Sequence, residues 1–493
     1  MSNLAPSPLR SHAKVFSLLV LLLLPTASKA ETDSNQVQEL RAEVDQLKEL
    51  VTDLQARVTL LEGRNALLRA STSGGSDDAV ALSRAALSLR RNAAAAPPLD
   101  VPPQQVTPAP SSASQLPTTL PGGATLNYYV DGYFANNFNN PVGRVNDLRA
   151  YDVLSRTFSI NQADVIFERD PDLDAHRRYG LRIDLQFGQA TETLQGNPSV
   201  EPRPEIYRNL FQAYGTYVIP LGKGLNFDFG KWASSLGMEG NYTKDQINYS
   251  RSYYFYFLPF YHAGVRLHYN LTDKFGVNYW VVNGTNQSEP NNGYRDELFG
   301  FVTQPKKTLS WTFNYYLGQE HPDTVPATNC TVPVQPGLCL APLIPAPNGK
   351  LHIFDSYANW NATPKLTLAL EGDYVIQREW ANAGPGHSSA PSHTDGGAAY
   401  VQYSFSPRQY VAARTEYMSD RGGMFSNVTQ ALKEVTGTYR YNFGDGFSTF
   451  FEYRRDWSNQ RYFTTSNPAA PSTHQDTATV GLVWWYGEKE GAW

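Results

Sequence analysis

The chain has 493 residues, 41% hydrophobic and 18% charged, a balance that excludes both a disordered chain and a bundle of membrane-spanning helices. A formal net charge of −5, with no basic cluster, argues against a nucleic-acid partner. Mean hydropathy is negative (−0.43), yet Tyr (30), Phe (24) and Trp (9) are abundant, which suits strands that show lipid on every second residue.

Arg10 and Lys14 precede the apolar run Val15–Leu24, and small residues follow at Ser28 and Ala30. This is the pattern of a secretory signal peptide over residues 1–30, cleaved before Glu31. The run is too short for a spanning helix, and after residue 24 no apolar stretch approaches the roughly 20 residues one needs. Residues 31–72 read as a periplasmic α-helical coiled coil. Val37, Val44, Val51, Val58 and Asn65 fall at one core position of the heptad, and Leu40, Leu47, Leu54, Leu61 and Leu68 at the other. Glu43 with Lys48 and Arg57 with Glu62 have the spacing of interchain pairs in a parallel coil. A homodimer or homotrimer assembled through 36–69 is therefore expected, with a single amphipathic helix lying on another domain as the alternative. Such a coil reaches about 50 Å at about 1.5 Å per residue. Residues 73–123 are a Gly/Ser break, a weakly helical stretch over Asp78–Ala96 and a Pro/Ser-rich linker.

From 124 to 493 the pattern changes to alternating segments joined by short and long connectors in strict turn. The short connectors fall near 168–176, 220–223, 270–273, 304–306, 362–364, 406–407 and 443–445; the long ones near 139–155, 189–204, 234–260, 284–295, 319–350, 379–396, 419–429 and 458–475. Outer-membrane barrels keep short turns on the periplasmic side and long loops outside, so this rhythm predicts an all-β antiparallel transmembrane barrel of about sixteen strands, with fourteen as the alternative. Tyr179, Leu181, Ile183, Leu185 and Phe187 oppose Arg182, Asp184 and Gln186; Tyr261, Val265 and Leu267 oppose His262, Arg266 and His268. A soluble sandwich also alternates, but it rarely places charges on the polar face while ending the apolar face in Tyr and Trp. Cys330 and Cys339, both in the longest loop, are expected to form a disulfide in an exported protein.

The segments PLGKGL, DFGKWASSLGMEG, NYSRSYYFYFLPFYHAGVRL and VVNG, within 211–284, resemble the putative β-barrel porin-2 family of OmpL-like outer-membrane proteins. The resemblance covers the barrel and not the coiled coil. It implies an outer-membrane pore embedded in lipid, but no particular solute.

Residues 234–260 are the third external loop by count, the one that folds inward in general porins of sixteen strands. A pore constriction built from Glu239, Tyr242, Lys244, Asp245, Tyr249, Arg251 and Tyr253 is expected, carrying both signs of charge beside aromatic faces. The alternative is a loop that only packs against the inner wall. The lumen wall is expected to hold Arg182, Arg266, Arg414, Arg440 and Arg454 against Asp184, Asp228, Glu371, Asp373, Glu416 and Glu452. Glu452, Arg454 and Asp456 alternate along one strand face, as in a solvated, self-paired wall. His262 and His268 share a face and read as solvated wall in preference to a metal pair. No G-x-S-x-G, H-E-x-x-H or Walker A motif occurs, so no enzyme, cofactor or resident metal is expected. The function expected is passive diffusion of small hydrophilic solutes across the outer membrane, with the N-terminal region in the periplasm. The alternative is a plugged structural barrel that ties the coil to the cell wall or a periplasmic partner.

Overall fold

The structure is a computed structural model that describes residues 119–487, apart from residues 121, 196–200, 202, 327–331, 336–337, 341–342, 346–348 and 379–390. The expected signal peptide and coiled coil, the linker up to residue 118, and Cys330 lie outside the described residues, as do the side chains of 325–348.

Sixteen strands form one closed antiparallel barrel: β1 (Ala124–Asn137), β2 (Phe158–Arg169), β3 (Tyr179–Phe187), β4 (Leu210–Ile219), β5 (Leu225–Ala233), β6 (Tyr261–Thr272), β7 (Phe275–Val282), β8 (Asp296–Lys306), β9 (Leu309–Gly318), β10 (Leu351–Thr363), β11 (Leu366–Arg378), β12 (Pro391–Ser406), β13 (Gln409–Arg421), β14 (Gln430–Gly444), β15 (Phe447–Ser458) and β16 (His474–Tyr486). Each strand pairs with its neighbours in sequence, and β1 closes the ring on β16 from Tyr128↔Tyr486 to Asn137↔Thr477. The count is sixteen, not fourteen. Closure leaves no unpaired edge in lipid, where unsatisfied backbone groups are costly. No described helix is long and apolar enough to cross a membrane.

The two faces of the wall follow the period-two alternation. Phe158, Ile160, Phe229 and Leu370 point outward and are more than 60% exposed. This is tolerable only where the solvent is hydrocarbon. At the rim nearest the short turns, Phe443 and Phe447 stack 4.8 Å apart, and Phe447 stacks on Trp484 at 4.8 Å. These rings form part of an interfacial aromatic girdle.

The short hairpins are built from turn-forming pairs. Asp445 and Gly446 both take positive φ (51° and 73°), the conformation a two-residue type I′ hairpin demands. One boundary differs from the sequence reading. Residues 391–396, with the turn-like composition PSHTDG, belong to β12 and pair with β11 from Arg378↔Pro391 to Asp373↔Gly396. The strand passes so close to β13 that a Cβ at Gly396 would lie 2.0 Å from the Tyr417 carbonyl oxygen. Here Gly marks a close backbone approach, not a turn.

Candidate functional site

The third long connector, residues 234–260, enters the barrel and is buried along most of its length. A chain segment inside a barrel has no strand neighbour for its N–H and C=O groups, which must still be paired. The wall supplies those partners in two chemistries.

Inward carboxylates take the loop's N–H groups. Gly237 N–H donates to Asp355 on β10 (3.1 Å) and Met238 N–H to Glu371 on β11 (2.9 Å). Tyr249 N–H and Ser250 N–H donate to the two oxygens of Glu452 on β15 (2.7 and 2.9 Å). Tyr253 N–H and Tyr254 N–H donate to the two oxygens of Glu416 on β13 (2.7 and 3.0 Å). These last donors begin the short helix Tyr253–Phe257, whose N-cap Ser252 accepts from Phe255 N–H. Hydrogen bonds to an ionised acceptor contribute roughly 1.5–3 kcal/mol each.

Inward arginines take the loop's carbonyls. Arg414 on β13 donates to Ser250 O (2.7 Å), Arg454 on β15 to Arg251 O (2.5 Å) and Arg440 on β14 to Lys244 O (2.8 Å). Arg251 turns back on its own loop and donates to Gly240, Tyr249 and Asn241 carbonyls. Arg414 also pairs with Glu239 of the loop and Glu434 of β14, each at 2.7 Å and fully desolvated. Tyr242 and Tyr249 hydroxyls donate to Asp184 (2.8 Å) and Asp131 (2.7 Å) on the far wall. Lys244 pairs with its neighbour Asp245 at 2.8 Å. The loop is therefore bonded to both sides of the barrel.

Towards the long-loop end, the aromatic helix packs into a ring of inward apolar residues. Tyr253, Tyr254, Phe255 and Tyr256 belong to one buried cluster with Trp232, Trp280, Leu298, Ile353, Val375 and Leu432, which come from six strands. Trp232 and Trp280 meet edge to face at 5.7 Å. Nearer the short turns, several inward residues are different in kind. Asn226, Asn270, Gln304, Asn361, Gln402 and Asn442 are half-buried or exposed, and all are uncharged amides.

All the sequence-predicted wall residues face inward, but they are not a solvated selectivity ladder. Arg182 pairs with Glu168 (3.1 Å) and Asp184 (2.9 Å), Arg266 with Asp228 (2.7 Å), and Arg454 with Asp456 (2.8 Å). Glu452 does not join that last pair; it holds the loop and accepts from Thr438. The histidines also depart from the expectation of solvated wall. His262 is fully buried, with Nδ1 3.0 Å from Gly284 O and Nε2 3.0 Å from Ser234 Oγ. A ring nitrogen facing a carbonyl must donate, so Nε2 accepts from the serine. The contact fastens strand to loop, with a carbonyl where a catalytic triad would place a carboxylate. His268 is buried between Asn278 and Asn270. Reasoning from the sequence missed Asp131, Asp164, Asp355 and Glu434, all buried and inward. With these included, acids outnumber arginines on the described wall.

A family model described as putative beta-barrel porin-2, OmpL-like, matches residues 123–484. Among curated proteins none matches significantly. Similar solved structures include the outer membrane channel DcaP of Acinetobacter baumannii (9% identity, 74% of this chain and 97% of that one, TM-score 0.46). Others are OmpT, an outer membrane protein of Vibrio cholerae (11%, 74% and 97%, 0.43), and OmpF of Salmonella typhi in complex with daunomycin (12%, 74% and 97%, 0.41).

Proposed function

Because the chain belongs to the putative beta-barrel porin-2, OmpL-like family of outer-membrane barrels, we propose that it is a channel for passive diffusion of small hydrophilic solutes. The carrying observation is the 234–260 loop, inserted in the lumen and bonded to opposite walls. In this reading the loop sets the bore, the mixed charges hold it in place, and the amide-lined end towards the short turns is the periplasmic mouth. The N-terminal coil lies in the periplasm, where residues 36–69 assemble two or three copies. No chemistry is catalysed and no cofactor is bound.

A second reading is favoured by the apolar ring around the aromatic helix, which suits a plug as well as a constriction. The barrel would then serve to hold the coil at the cell wall or a periplasmic partner. Planar-bilayer recording separates the two. A channel gives discrete conductance steps in the intact protein, and deleting residues 240–256 enlarges them severalfold. A silent intact protein that conducts only after the deletion supports the plug. Silence in both sinks the channel reading. Removing 31–120 separates the roles of the coil, since a structural tether predicts an envelope defect with solute uptake unchanged.

A further inference from the structure

One group of wall carboxylates takes part in no ion pair among the described residues. Asp355 on β10 and Asp373 on β11 are direct cross-strand partners, both inward and no more than 5% exposed. Glu371 stands on the same face of β11. Each of the three offers a carboxylate oxygen within 4.8 Å of the other two. Like charges directly opposite on a sheet repel, and burial strengthens the repulsion.

Elsewhere in the lumen arginines, loop N–H groups or neutral side chains meet most of the buried carboxylates, although Asp164 on β2 also lacks a hydrogen-bond partner at both oxygens. Asp355 accepts from Gly237 N–H and Asn314 Nδ2 (2.8 Å), and Glu371 from Met238 N–H and Tyr400 Oη (3.2 Å). Among the described residues Asp373 receives no donor other than a proton shared with the facing Asp355 carboxyl. Its other cross-strand partner is Gly396, which brings no side chain. Over that glycine lies the Tyr254 hydroxyl of the inserted loop, buried and also without a hydrogen-bond partner, 2.9 Å from where a Cβ would stand. A buried carboxyl on β11 whose partner is another acid thus lies near an unpaired buried hydroxyl, which the inserted loop holds over the neighbouring strand β12. Burying either one unsatisfied is costly, which points to a missing ligand.

We propose that Asp355, Glu371 and Asp373, with Tyr254 beside them, form a divalent-cation site of the calcium class. The donors are all oxygen, the chemistry hard cations select, and calcium tolerates the irregular geometry that three side chains from two strands impose. A bound cation neutralises the cluster. It also fixes the beginning of the inserted loop, because Gly237 and Met238 hang from two of its ligands. The site does not depend on whether the barrel conducts.

The test is tyrosine-sensitised terbium luminescence on the full chain, refolded free of lipopolysaccharide in a zwitterionic detergent and stripped with chelator. The expected result is a saturable signal near one ion per chain, displaced by calcium. Asp373→Asn should weaken it at least about tenfold, since even groups that only support a metal's ligands are worth that much. Heat-modifiable gel mobility checks that this variant forms the barrel, and Glu371→Gln provides the same readout should it not fold. No saturable signal in the wild-type protein, or unchanged affinity in a folded variant, overturns the site; the three acids then share protons.

Discussion

The inserted loop meets two kinds of wall. On β13–β15 arginines stand among the acids and match several of them. Arg414 lies between Glu239 and Glu434, and Arg454 bonds Asp456, which also holds Arg149 from the 138–157 loop at 2.7 Å. On β10 and β11 the buried inward charges among the described residues are acids: Asp355, Glu371 and Asp373. The loop's N–H groups are satisfied on both sides, so satisfying the backbone is not what distinguishes them. The difference lies in what balances the carboxylates after they have gripped the loop. The first wall carries its counter-charge in its own sequence, whereas the second needs protons or a cation from outside.

The largest effect is expected from breaking the matched wall. Arg414→Met leaves Glu239 buried without its cation and Glu434 with only Arg454, at 3.6 Å, and removing one partner of a buried pair costs about 3–5 kcal/mol. Urea unfolding of the refolded barrel measures this, and adding Glu434→Gln should recover part of the loss. A cost below about 1 kcal/mol would mean that water reaches the pair, and the contrast between the walls would collapse.

That contrast was only half legible in the sequence. Strands β3 and β6 declared themselves because their inward faces are polar and their outward faces apolar. The inward face of β1 carries Tyr129 and Tyr133, which pack against the inserted loop's own tyrosines, Tyr242 and Tyr249. Both faces of that strand therefore look aromatic, and Asp131 between them went unnoticed. Asp355 was hidden similarly, since inward Ile353 and outward Phe354 precede it and blur the alternation. The position of the 234–260 loop could be counted from the connectors. Its docking could not, because partners such as Tyr249 and Glu452 are separated by 203 residues and nothing local pairs them. The wall charges read from the sequence as a surface offered to solutes; in the structure most of them hold the loop.

A smaller effect sharpens the matched side. Asp147, in the 138–157 loop, receives Thr464 N–H (2.6 Å) from the 459–473 loop, and its backbone is clasped by Gln475 on β16. Burial pushes its carboxyl up to about 6, with Asp456 adding to the rise and Arg149 and the Thr464 donor opposing it. The folded-state value lies above the unfolded one, so the folded protein binds more protons between the two. Loop attachment should therefore strengthen as pH falls through about 6, and weaken above it. From pH 7.5 to 5 the gain is about 1 kcal/mol. Hydrogen exchange over 138–157, corrected for intrinsic rates, should slow accordingly in the wild type and lose this dependence in Asp147→Asn. Protection that rises with pH would show that the carboxylate form is the one the loops hold.

The smallest effect carries the opposite sign and bears on the unmatched wall. Asp373→Asn removes a like charge facing Asp355 and replaces the carboxyl that hydrogen-bonds it across the strand pair. The new amide can donate to Asp355 across the strand pair. In chelator the variant should be more stable than the wild type by about 0.2–1 kcal/mol, the range for cross-strand charge pairs. Calcium should then erase or reverse the order, because only the wild type keeps all three carboxylates. A buried acid whose removal stabilises the barrel without metal and weakens it with metal is retained for the ion, not for the fold. If Asp373→Asn lowers the urea midpoint in chelator, Asp373 stabilises the fold itself, and the two walls differ in sequence but not in kind.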